Sequence, residues 1–207
     1  MSDSFLEDQA PGAYHYLALP PTLPPPWPLL LFLHGAGERG GDLALVRLHG
    51  PPREAERGRL LPFLLLAPQC PAGKVWEVPR LAALLDHAEA RWPLDRDRVV
   101  VTGLSMGGFG TWALAQAWPE RLAAIVPICG GGDPRLARRL LDLPTWAFHG
   151  ARDPTVPLEQ SVRMVRAIEK LGGEARFTVD QHAEHDCWTK AYGDDALWTW
   201  MAARRRS

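Results

Sequence analysis

Cysteine is scarce in this chain of 207 residues, with Cys70, Cys129 and Cys187 the only three. An odd, widely spaced set is a poor disulfide framework, which favours a reducing compartment. Lysine is equally scarce, standing only at Lys74, Lys170 and Lys190; the other basic residues are arginines. An excess of one charge is missing too: 23 Lys and Arg face 24 Asp and Glu, for a net charge of −1. That balance lacks the electrostatic footprint of a nucleic-acid or anionic-membrane binder. The most apolar run, Pro28 to Leu33, is far short of the roughly 20 residues that span a bilayer. Met1 to Gln9 is acidic and polar, without the basic and apolar regions of a secretory signal. The expectation is a soluble cytoplasmic protein that binds neither nucleic acid nor membrane. The closing Arg204-Arg205-Arg206 reads as a solvated tail.

What is present is ordinary globular material: 46 % of the residues are hydrophobic, enough for one core. No repeat or linker divides the chain, so residues 1–207 read as a single domain. Short apolar runs predict buried strands over Leu29 to Leu33, Phe63 to Ala67, Val99 to Thr102, Ala123 to Ile128 and Thr145 to Phe148. Tyr14 to Leu19 and Arg176 to Val179 read as outer strands, and the proline-dense Pro20 to Pro28 as a stiff connection. Helical spacing predicts helices over Val78 to Arg91, Met106 to Ala117, Leu136 to Leu141, Leu158 to Leu171 and Asp194 to Ala203. Strands alternating with helices imply an α/β fold: a doubly wound, mostly parallel sheet with helices on both faces. Ligands of such sheets bind at the carboxyl ends of the strands.

The chemistry-bearing residues follow the strands. Gly103-Leu104-Ser105-Met106-Gly107 is G-x-S-x-G at a strand-to-helix junction, which lifts Ser105 above the sheet in front of a helix N-terminus. A serine hydroxyl needs a base, and in such sites acid and then histidine follow the serine in chain order. Asp153, in the loop after Thr145 to Phe148, is the expected acid; Asp133 is its rival but resembles a helix N-cap before Pro134. His185 is the expected base, with His182 as second choice. His149 precedes the acid, and His15, His34, His49 and His87 precede Ser105, so none of them fits the order. The oxyanion of a tetrahedral intermediate needs N–H donors. Met106 N–H is one, and Ala36 N–H, in His34-Gly35-Ala36-Gly37-Glu38, is the other, with Gly37 next. His182, Glu184, His185 and Cys187 cluster in sequence, but H-E-x-x-H and C-x-x-C are both lacking. Neither a metal nor a cofactor is expected.

These motifs resemble the α/β-hydrolase superfamily. Within it they resemble compact bacterial serine esterases of the phospholipase/carboxylesterase-like and feruloyl-esterase-like kind, relatives of dienelactone hydrolase. The resemblance rests on Leu33 to Gly40, His49-Gly50-Pro51-Pro52, Ala67 to Pro71 with Trp76, Gly103 to Gly110, Pro127 to Gly132, and His185-Asp186-Cys187-Trp188. It implies an eight-stranded sheet with an antiparallel edge, where the runs above count seven strands. Dienelactone hydrolases carry cysteine as nucleophile, and Ser105 stands in that place here. Larger relatives insert a cap after the strand that ends near Ile128; Cys129 to Leu143 leaves room for one short helix and no cap domain. Trp76, Trp188 and Gly37 are the candidate substrate-binding residues. The function expected is a carboxylesterase acting on short-chain or aryl esters, a small-molecule substrate, through an acyl-enzyme on Ser105. The alternatives are a serine peptidase or acyl-peptide hydrolase, and a non-catalytic binding protein on the same fold.

Overall fold

A computed structural model describes residues 5–206; residues 1–4 and 207 of the expected domain lie outside the described residues. The strands are β1 (Leu6–Gln9), β2 (His15–Leu19), β3 (Trp27–Leu33), β4 (Leu64–Pro68), β5 (Leu94–Leu104), β6 (Ala124–Ile128), β7 (Thr145–Gly150) and β8 (Ala175–Asp180). They form one sheet in the order β1-β2-β4-β3-β5-β6-β7-β8. The β1–β2 and β2–β4 pairs are antiparallel, and every later pair is parallel. The helices are α1 (Gly50–Glu56), α2 (Val78–Arg91), α3 (Met106–Ala117), α4 (Glu159–Lys170), α5 (Trp188–Gly193) and α6 (Asp195–Ala202). No helix among the described residues is long and apolar enough to cross a membrane.

The period-2 alternation of the central strands builds two cores. Leu29, Leu31 and Leu33 of β3 pack in one cluster with Leu81 of α2, Trp112 of α3 and Met164 of α4. Leu30 and Phe32 point to the other, with Ala191 of α5 and Leu197 of α6. Strands apolar on both sides are what a sheet covered on both faces requires. The chain leaves β3 toward β4 and α1, whereas β5 lies on the other side of β3 and leads to α3. The crevice at the carboxyl ends of β3 and β5 is therefore a topological switch point, where such sheets bind ligands.

Two expectations are corrected. The sheet has eight strands, as the resemblance implies; the run-based count missed β1, because Leu6–Gln9 is a four-residue polar edge strand, short and charged as edges commonly are. The segment from Gly35 to Leu60 is structured. It holds 3-10 turns over Ala36–Glu38 and Leu43–Leu48, followed by α1. The C-terminal arginines are docked rather than free: Arg205 pairs with Asp95 and Asp97 at 3.0 Å each, and Arg206 with Asp97 at 2.8 Å. Between β6 and β7 the chain forms one 3-10 segment, Pro134–Leu140, and no cap domain.

Candidate active site

Ser105 sits at the N-cap of α3 with φ 53° and ψ −117°, a left-handed backbone rare for a residue with a β-carbon. The turn closes because Gly107 has no side chain. A Cβ there would overlap the Leu33 carbonyl at the end of β3. The serine hydroxyl thus stands over the crevice with the N-terminus of α3 beneath it.

Three side chains from three strand ends line up. Ser105 Oγ is 2.9 Å from His185 Nε2, and His185 Nδ1 is 2.7 Å from Asp153 Oδ2. With Nδ1–H donating to the carboxylate, Nε2 is free to accept from the serine. Asp153 Oδ1 accepts the backbone N–H groups of Thr155 and Val156 at 2.8 and 2.9 Å. The Asp153 side chain has no exposed surface. Burial pushes its ionisation up, but the bonds from His185, Val156 and Thr155 outweigh that and hold the carboxyl below its usual range. A hydroxyl, an imidazole and an ionised carboxylate in this line can move a proton off the serine and keep the imidazole in one tautomer.

The loop after β3 faces Ser105 from the other side. A Cβ on Gly35 would sit 3.6 Å from Ser105 Cβ, so the loop backbone lies against the serine. Its polar groups are used one by one: Gly35 N–H donates to Glu38 Oε2 at 2.8 Å, and Ala36 C=O accepts from Arg39 Nε at 2.8 Å. No hydrogen bond from Ala36 N–H or Met106 N–H is made among the described residues. The two expected oxyanion donors are thus both unspent.

His34, which chain order had set aside, holds this loop from beneath. Its Nδ1 donates to Gly35 C=O at 2.6 Å, and its Nε2 accepts from Cys70 N–H at 2.9 Å. Complete burial pushes its pKa down to about 4, so the ring is neutral, as an accepting Nε2 requires. His149 supports the acid in the same way. Its buried ring donates from Nε2 to Val156 C=O at 2.9 Å and lies 3.4 Å from Asp153 Oδ2. The one sequence signal for either was its place at a strand end.

The remaining candidates divide. Trp188 lies edge-on to His185 with ring centroids 5.1 Å apart, so it borders the site. Trp76 is 7 % exposed, packs against Tyr14 and Gly110, and donates from Nε1 to His34 C=O at 3.1 Å. It props the β3 loop. Gly37 is exposed, and a Cβ there would meet nothing within 4 Å. Asp133 caps its turn by accepting from Arg135 N–H at 2.9 Å, and His182 is exposed; neither joins the cluster. Cys129, Asp153 and His185 place possible ligand atoms within 4.8 Å of one another. The carboxylate and imidazole of that group are already spent on each other, and the thiol is held protonated by its Cys187 contact and by burial. Three surface cavities, of about 780, 520 and 130 Å³, are lined by none of Ser105, His185 and Ala36. Ser105 itself is half-buried, and the link from β6 to β7 is only the short Pro134–Leu140 segment.

Similarity to known proteins agrees with this architecture. A thermostable esterase of known structure superposes with a TM-score of 0.84 and 31 % identity, over 99 % of this chain and 64 % of its own. The bifunctional acetylxylan esterase/xylanase XynS20E of Neocallimastix patriciarum is 22 % identical over 165 residues, 76 % of this chain. Poly(3-hydroxyalkanoate) depolymerase C of Paucimonas lemoignei is 30 % identical over 124 residues, 55 % of this chain. The chain spans only 24 % and 30 % of those two proteins. Residues 72–193, more than half of the chain and including Ser105, Asp153 and His185, match one family as a block. By that match the chain belongs to the dienelactone hydrolase family.

Proposed function

We propose that the chain is a serine carboxylesterase that hydrolyses short-chain or aryl carboxylic esters. The observation that carries this reading is the unbroken line from Ser105 Oγ through His185 to Asp153, at 2.9 and 2.7 Å, beside a loop and a helix start whose Ala36 and Met106 N–H groups are unspent. His185 Nε2 takes the hydroxyl proton as Ser105 attacks the ester carbonyl. The oxyanion forms against Ala36 N–H and Met106 N–H. The imidazolium, steadied by Asp153, gives its proton to the leaving alcohol. Water then repeats the cycle on the acyl-enzyme and frees the acid. The relatives named above include two whose names denote ester cleavage, which supports an ester over a peptide substrate. Trp188 beside His185 and the exposed Phe109 on the first turn of α3 offer apolar faces to an aryl or short acyl group. The free thiols support a reducing, cytoplasmic setting, and we read residues 1–207 as one catalytic domain.

The test is turnover of p-nitrophenyl acetate together with labelling by a fluorophosphonate. Ser105→Ala should lose both, and His185→Ala should lower kcat by roughly 10⁴-fold or more, since the groups act as a unit. Unchanged turnover in Ser105→Ala would overturn the reading.

A further inference from the structure

Two of the three cysteines meet beneath the site. Cys129 follows β6, Cys187 is the N-cap of α5, and their sulfurs lie 2.9 Å apart as free thiols. Cys129 also donates from Sγ to the His185 carbonyl at 3.2 Å. One thiol therefore touches both its partner and the backbone of the residue whose ring faces Ser105. Cys129 holds φ 47°, a left-handed backbone that a residue with a β-carbon rarely adopts. Cys187 lines a cavity of about 130 Å³ with Phe148, Val179 and Lys190, several times the roughly 30 Å³ that a water occupies in the liquid. Cys70 is buried in the core on the opposite face of the sheet, out of reach of the pair.

We propose that Cys129 and Cys187 form a reversible dithiol–disulfide couple whose closing draws His185 away from Ser105. The second half of this proposal rests on the reading of Ser105 and His185 as the reacting pair. Hydrogen peroxide entering the cavity is the oxidant. The Cys187 sulfur attacks one oxygen of hydrogen peroxide; the S–O bond forms, the O–O bond breaks, and the leaving hydroxide takes up the Cys187 thiol proton and departs as water, which leaves a sulfenic acid. Cys129 then attacks the Cys187 sulfur; the S–S bond forms, the S–O bond breaks, and a second water leaves. Two electrons pass from the sulfurs to hydrogen peroxide, and the two thiol protons end in the two waters. A dithiol reductant reverses the step by exchange. Cys187 lines the cavity that admits the oxidant and Cys129 does not, so Cys187 makes the first attack.

Closing the bond brings the sulfurs from 2.9 Å to about 2.05 Å and removes the thiol donor from the His185 carbonyl. The Cys187 sulfur is drawn toward Cys129 only two residues from His185, whose ring depends on contacts of 2.7 and 2.9 Å. A displacement of about 1 Å at reacting groups can cost on the order of 10²-fold in rate.

The full chain is treated with hydrogen peroxide, quenched with catalase and assayed in three ways. Thiol titration after denaturation should fall from three to one, peptide mapping should link Cys129 to Cys187, and p-nitrophenyl acetate turnover should drop at least tenfold and return with dithiothreitol. In Cys187→Ser, and separately in Cys129→Ser, the ratio of treated to untreated turnover should stay near one. Three titratable thiols after treatment, a link through Cys70, or a Cys129–Cys187 link with unchanged turnover would each overturn the proposal. The mapping needs no variant, so a Cys129→Ser protein that fails to fold leaves the test intact. Failure of the Ser105 reading shows instead as an active Ser105→Ala, which the thiol count does not touch.

Discussion

Ser105 and His34 occupy one crevice under opposite demands. Ser105 must be reachable, and α3 presents it at its N-cap. His34 must stay buried and neutral, because Cys70 N–H needs Nε2 as an acceptor. Burial pushes the His34 pKa down to about 4, whereas an unfolded histidine titrates near 6.5. Between those values the unfolded chain binds a proton that the folded chain refuses, so stability falls as pH drops through that window. The expected loss from pH 7 to pH 5 is about 2 kcal/mol for this one group. Urea unfolding at the two values checks it, and coincident midpoints would refute it. The lowered carboxyl of Asp153 acts in the same direction at lower pH, its contribution fading as pH falls below its unfolded value. At this scale the sequence singles out Ser105, Asp153 and His185 by chain order, and the fold brings the three within hydrogen-bonding distance. The sequence was silent on His34 and His149, whose work depends on atoms distant in sequence: Cys70 N–H for one and the Asp153 loop for the other.

At the scale of elements, the site is a junction of β3, β5 and α3, and small residues set how closely they meet. Gly107 lies where α3 abuts the Leu33 carbonyl, and any Cβ there would overlap that oxygen. Gly107→Ala should therefore push α3 off the sheet, cost about 3 kcal/mol and displace Ser105. Gly37→Ala, with nothing within 4 Å of the new carbon, should change stability by less than about 0.5 kcal/mol. Chemical denaturation of the two variants side by side checks the contrast; equal effects would show that the close approach is not the cause. The glycines of G-x-S-x-G were legible as a turn. That Gly107 answers to the end of β3, more than seventy residues earlier, was not. Periodicity likewise found the buried strands but missed β1, because an edge strand with little to bury carries no apolar run.

For the whole molecule, what is absent above the site matters as much as what builds it. The link from β6 to β7 is a single 3-10 segment, Pro134–Leu140, and the larger cavities lie elsewhere. A long acyl chain would stay largely in water. Each buried CH₂ contributes about 0.8 kcal/mol, so a covered tunnel would raise kcat/KM several-fold per methylene until full. Here the gain should stop after the first few carbons. The measurement is kcat/KM for p-nitrophenyl esters from acetate to palmitate below their micelle concentrations. A steady rise to the longest chain would contradict the open site. The docked C-terminus belongs to this scale too, since Arg205 and Arg206 reach Asp95 and Asp97 at the start of β5. Neighbouring arginines look like a free tail until the fold brings acidic partners beside them.

The sequence by itself determined the doubly wound sheet and the order serine, acid, histidine. Apolar alternation and the residue after each strand are local properties, and local properties can be read along a chain. Only the tertiary structure decided that Trp76 props a loop while Trp188 borders the site, and that His34 is held neutral. It also decided that Cys129 and Cys187, 58 positions apart, share one contact. Each of these depends on which distant segments pack together and on how much water the packing removes. Composition and spacing do not encode that neighbourhood until the sheet has closed.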